Sequence, residues 1–150
     1  MRRARGNPSS FAEFAFSDAT GKPLRQATIH RELQEFLTRH RKAIVEWPRD
    51  HGKSTQLALR LLWELGRNPG LRIKLVCATE AMAIERTRFL RDQIAGNRKL
   101  KLVFPKLEPG EPWSAEAFTV ARPGETIGPS VAAFGLGSGS TGSRADLLVS

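Results

Sequence analysis

Gly52, Lys53 and Ser54 stand where an apolar, strand-like run, Ala43-Ile44-Val45, gives way to an apolar helical pattern beginning at Ser54. Those residue types in that order suit an anion. Backbone N–H groups at a helix N-terminus point at a phosphate, a lysine reaches its outer oxygens, and a hydroxyl ligates magnesium. Lys53 and Ser54 are the candidates for the last two roles, with Asp50, His51, Gly52 and Thr55 completing the cradle. Arg49 faces the same concavity, where a guanidinium can meet a γ-phosphate or a partner's backbone phosphate in bidentate fashion. The alternative is a surface arginine held by Asp50 or Glu46. The full phosphate-loop pattern has a glycine five residues before Gly52, and here that position is Trp47.

The flanking elements follow from periodicity and punctuation. Ile29, Leu33, Phe36 and Leu37 fall at helical spacing, with Thr28 as a cap, and predict a helix to His40. A strand over Ala43–Trp47 leads into the loop. Leu57, Ala58, Leu61, Leu62 and Leu65 then share one helical face, closed by Gly66 and the Asn68-Pro69-Gly70 turn. Arg72 to Ala78 reads as a second strand, and Thr79 caps a helix to Ala95, stopped by Gly96 and Asn97. Strands alternating with helices predict an α/β fold with a parallel sheet covered by helices.

The remaining segments are less regular. Pro109 to Trp113 reads as an exposed turn closed by an aromatic anchor, and Ala117–Ala121 and Ser130–Phe134 as strands of a hairpin around Arg122-Pro123-Gly124. Gly135 to Gly142 is expected as a flexible loop before a strand over Ala145–Val149. Residues 1–22, rich in Gly, Pro and Ser, are expected as a loosely packed lead-in.

At 150 residues, 40% hydrophobic and 26% charged, the chain suits one globular domain. A net charge of +9 favours polyanionic partners over a merely solvated basic surface. Cys77, the single cysteine, excludes an internal disulfide and a cysteine-rich zinc site, which points to a reducing compartment. No apolar run approaches a membrane span, and Met1-Arg2-Arg3-Ala4-Arg5 is followed by polar residues instead of a signal-peptide core. The expectation is a soluble, intracellular protein with no membrane partner.

The run Glu46-Trp47-Pro48-Arg49-Asp50-His51-Gly52-Lys53-Ser54-Thr55 resembles the variant Walker A loop of phage terminase large subunits, ATPases that pump viral DNA into procapsids. Further segments are similar in order: Leu75-Val76-Cys77-Ala78-Thr79-Glu80, Phe104-Pro105, Trp113-Ser114, Ala117-Phe118-Thr119-Val120, Pro129-Ser130-Val131 and Thr141 to Val149, the last entering the Walker B strand. The resemblance covers residues 28–150. It implies a P-loop NTPase core, RecA- or helicase-like, with a mostly parallel sheet flanked by helices and incomplete at the C-terminus, preceded by an arm over 1–27.

The resemblance also implies ATP and Mg²⁺ as cofactors, Arg49 and Lys53 as catalytic groups at the transferred phosphate, and Ser54 as the magnesium ligand. An upstream polar side chain contacts adenine in such motors, and spacing offers His30 or, one turn later, Gln34; either could instead be a solvent-facing helix residue. Gly137 to Gly142 and Arg144 would line the site or a subunit boundary, or form a linker. The implied substrate is double-stranded DNA, with a portal protein and small terminase subunit as partners, a homo-oligomeric ring when intact, and a place in the host cytoplasm at the procapsid.

In that family the Walker B strand ends in acids, whereas here Leu147-Leu148-Val149 is followed by Ser150, and Asp146 precedes the strand. The expectation is therefore an N-terminal fragment of a packaging ATPase, with hydrolysis and a nuclease domain belonging to the intact protein. Two other readings remain: another helicase-like P-loop ATPase, and a non-enzymatic, basic nucleic-acid-binding remnant.

Overall fold

A computed structural model describes residues 1–138 and 144–149, so Gly139 to Gly142 of the expected loop lie outside the described residues. Contacts divide the chain into two units, Met1–Trp63 and Glu64–Ser150.

The first unit contains α1 (Arg2–Gly6), α2 (Pro8–Ala15), α3 (Thr28–Arg39) and the larger part of α4 (Lys53–Arg67). Asn7 caps α2: its Oδ1 accepts from the Ser10 N–H at 2.9 Å, and Pro8 occupies the first helical position, where no N–H is needed. The expected loose lead-in is thus a pair of helices. Phe11, Ala12, Ala15 and Phe16 are buried, the spacing of one helical face, and the Phe11 and Phe16 rings meet edge to face at 5.6 Å. Trp63, also buried, donates its indole N–H to the Ala4 carbonyl at 3.2 Å and ties α1 to α4.

Glu13 links α2 to the segment entering α3. It accepts from the Gln26 N–H at 3.0 Å and from Arg31 at 2.9 Å. The Gln26 hydrogen bond first, then that from Arg31, holds the Glu13 carboxyl below its ordinary value.

Residues 43–47, expected as the first core strand, carry no strand. Ile44 is 89% exposed. Three apolar residues between charged neighbours supply β propensity but no partner, and a strand exists only where a second strand takes up its backbone groups.

The second unit holds a five-stranded sheet in the order β2-β3-β4-β1-β5, built from β1 (Ile73–Cys77), β2 (Pro109–Trp113), β3 (Ala117–Val120), β4 (Val131–Gly135) and β5 (Leu147–Val149). β1 pairs in parallel with both β4 and β5, whereas β3 is antiparallel to β2 and to β4. The sheet is therefore mixed, not mostly parallel. The short β3–β4 connection reverses the chain, whereas α5 (Glu80–Gly96) lies between β1 and the strands that follow it in sequence.

Ile73, Leu75, Val131 and Ala133 are buried at matched positions on one face, and α5 lies against β1 and β4. Gly135 permits that approach, since a Cβ there would stand 2.8 Å from the Glu80 backbone nitrogen. The Thr79 hydroxyl accepts from the Met82 N–H at the helix start, as its position before the apolar pattern predicted. Pro109–Trp113, expected as a turn, is an edge strand, the one place in a sheet that tolerates prolines; Trp113 meets the Phe118 ring at 5.1 Å. Arg122 braces the β3–β4 connection, donating to the carbonyls of Thr126 and Gly128.

β5 is fastened to β1 by more than its ladder. Asp146 accepts from Arg72 Nε at 3.1 Å, Nη2 at 3.0 Å and the backbone N–H at 3.0 Å. Those bonds, the side-chain ones foremost, hold its carboxyl below the ordinary aspartate value and raise the Arg72 guanidinium. Because the folded-state value lies below the unfolded one, near about 3.9, the pair stabilises the fold fully above that pH and is lost as pH falls through the folded value. Asp146→Asn is therefore expected to lower the urea midpoint at pH 7, and the gap from the native chain to close as pH falls below the unfolded value and through the lower folded one.

Gly66 gives a second prediction. A Cβ there would stand 2.3 Å from Cδ2 of the buried Phe104 ring. Gly66→Ala gains about 1 kcal/mol of helix propensity but overpacks the site by roughly 1–3 kcal/mol, so urea unfolding should show net loss. Gly96→Ala, with nothing within 4 Å of the new Cβ, should be neutral or stabilising.

Candidate phosphate-binding site

The loop before α4 turns through two left-handed residues, Asp50 at φ 63° and Gly52 at φ 75°. Glycine adopts that region without cost, and aspartate is among the few side chains that tolerate it. The helix then begins at Lys53, and its first intrahelical donor is Gln56, whose N–H reaches the Gly52 carbonyl at 2.9 Å. The N–H groups of Lys53, Ser54 and Thr55 consequently precede the helical ladder, at the positive end of a 15-residue helix. Lys53 is half-buried, and Arg49, Ser54 and Thr55 are exposed. Among the described residues no carboxylate pairs with Arg49 or Lys53, so Arg49 is not held by Asp50 or Glu46.

His30 fixes the loop from α3. Its Nδ1 accepts from the Ala27 N–H at 3.3 Å, which leaves the proton on Nε2, 3.1 Å from the His51 carbonyl it donates to. Trp47 lies beside the same imidazole, ring centroids 5.9 Å apart. His51 in turn places Nδ1 2.8 Å from the Arg49 carbonyl. The structure thus brings His30, Trp47, His51 and Gly52 together, and both nitrogens of His30 are engaged with backbone. Trp47 also lines an open cavity of ≈ 260 Å³ with Ile29, Leu33, Phe36, Ile44 and Val45 and the two acids Glu32 and Glu46.

Gln34 sits elsewhere. It is 2% exposed, and its Nε2 donates to both the backbone carbonyl and the Oε1 of Gln56, each at 3.1 Å. Arg60, one turn after Gln56, donates to the Gln34 carbonyl at 3.1 Å and the Thr38 hydroxyl at 2.8 Å. Gln56 and Arg60 were not among the sequence candidates. Their only signal is i, i+4 spacing on α4, matched by Gln34 and Thr38 on α3. Gln34 is therefore no solvent-facing helix residue; it joins the two helices.

The arrangement can hold an anion through three backbone donors and two cationic side chains. Among the described residues no group of three His, Cys, Asp or Glu is placed to hold a metal ion. The strand half of the expected strand–loop–helix unit is missing, because residues 43–47 carry no strand. No protein-family model matches the sequence, and no curated protein matches it.

Gly52 offers a direct test of the loop. A Cβ would have room, its nearest neighbour being His30 Nε2 at 3.6 Å, so the cost of Gly52→Ala comes from its positive φ. Urea unfolding should show a loss of about 1–2 kcal/mol, and Gly52→Asn, better suited to that region, should lose less.

Proposed function

We propose that the loop and first turn of α4 bind the phosphates of ATP, and that the chain is the N-terminal part of a P-loop ATPase domain of the kind found in phage terminase large subunits. One observation carries the reading: after two left-handed residues, the N–H groups of Lys53, Ser54 and Thr55 precede the helical ladder, with Lys53 and Arg49 unpaired by any carboxylate among the described residues. Donors of that number and charge fit a polyphosphate. The apolar side chains lining the cavity at Trp47 offer a seat for the base.

Bound ATP·Mg²⁺ would supply the transferable phosphoryl group and the metal's charge. The chain's own contribution is binding and positioning: the N–H groups of Lys53, Ser54 and Thr55 orient the phosphates, and Lys53 and Arg49 neutralise charge that builds on the outer oxygens. Ser54 would hold the metal through its hydroxyl. Asp146 is not a free acid for this chemistry, since Arg72 engages both its oxygens. In the intact protein this site would drive translocation of double-stranded DNA in a homo-oligomeric ring, with portal protein and small terminase subunit as partners, in the host cytoplasm.

Titration of the chain with a fluorescent ATP analogue in the presence of Mg²⁺ tests the reading. Saturable binding is expected, weakened at least about tenfold by Lys53→Ala, as loss of a charge-assisted phosphate contact requires. Hydrolysis by residues 1–150 should stay near background. Salt-dependent DNA binding with no nucleotide affinity would instead identify a basic nucleic-acid-binding remnant.

A further inference from the structure

The positive charge of this chain is unevenly placed. Between Arg86 and Lys106 there are seven Lys or Arg residues and one acid, Asp92. Asp92 is already committed, accepting from Arg91 at 2.8 Å. Arg86, Arg88, Arg98, Lys99, Lys101 and Lys106 have no ion-pair partner among the described residues. Elsewhere Arg31, Arg39 and Arg72 each have a carboxylate.

The cations at the centre of this stretch sit on a fixed platform. α6 (Arg98–Val103) buries Leu100 and Val103 and leaves Arg98, Lys99 and Lys101 exposed. Asn97 fixes its angle to α5: the side-chain oxygen accepts from the Leu100 N–H at 3.0 Å, and the amide donates to Gln93 at 2.9 Å. Just beyond, buried Phe104 and Leu107 bracket the turn that carries exposed Lys106. Unpaired like charges held close together repel one another, and a polyanion relieves that repulsion.

We propose that α6 and the turn that follows it form a docking surface for the phosphate backbone of double-stranded nucleic acid, with Arg98, Lys99 and Lys101 at its centre. A duplex carries about one charge per 1.7 Å of axis, so a short helix presenting cations at i, i+1 and i+3 meets several phosphates wherever it lands. A membrane is the poorer fit, because Leu100 and Val103 face inward and Leu102 alone among the apolar residues of α6 is exposed. The residues named for this surface include none of the phosphate loop, so it does not rest on the nucleotide-binding reading.

The experiment measures binding of the full chain to a labelled DNA duplex across a salt series. Each phosphate contact adds about 0.9 to the slope of log affinity against log salt, so R98Q/K99Q/K101Q should lower the slope by about 2.7. R39Q/R41Q/K42Q removes the same formal charge from the first unit and should change the slope by less than about 1. An unchanged slope in the first variant, or equal drops in both, overturns the proposal. So does salt-dependent binding to phosphatidylserine vesicles that is tighter than to duplex and lost in the same variant. The α6 variant should keep its ATP-analogue titration, and Lys53→Ala should keep its DNA salt slope, so either reading can fail alone.

Discussion

A polar bridge between α3 and α4 holds the candidate site in place. Gln34 reaches across to Gln56, and Arg60 reaches back to the Gln34 carbonyl and the Thr38 hydroxyl. Gln34, Gln56 and Arg60 are all buried, where a hydrogen bond is strong and an unmade one is costly. An apolar contact would tolerate sliding of one helix along the other; these bonds fix a register. With α3 so fixed, His30 at its first turn falls within reach of the His51 carbonyl, and the loop takes its shape from a side chain 21 positions earlier in the chain.

What was legible in the sequence follows from how local each signal is. Thr79 caps α5, Asn97 stops it, and the Asn68-Pro69-Gly70 turn follows α4, all through bonds spanning two to four residues. Such bonds are written in neighbouring side chains. A strand needs a partner chosen from the rest of the chain, which is why Ala43–Trp47 misled and why Pro109–Trp113, rich in turn residues, became an edge strand beside β3. The face of Phe11, Ala12, Ala15 and Phe16 was present in the sequence but masked by the Gly, Pro and Ser around it, two of which, Pro8 and Ser10, serve the α2 cap.

The candidate site divides in the same way. Lys53 and Ser54 at the first turn of a helix could be read directly, because order and spacing alone define that geometry. The work of His30 and Gln34 could not. Their partners, His51 and Gln56, lie 21 and 22 residues away, and no periodicity in one helix reports what the next helix turns toward it. Both residues proved to be structural anchors for the loop and its helix, whatever else they contact.

The placement of the tryptophans has an optical consequence. The chain has three tryptophans and no tyrosine, so its near-ultraviolet emission comes from indoles alone. Trp63 is sealed in the first unit and Trp113 lies against Phe118, whereas Trp47 stands half-exposed beside the His30 imidazole at the mouth of the loop. Trp47 is thus a built-in fluorophore whose surroundings change whenever the loop or that imidazole moves, without any label being attached.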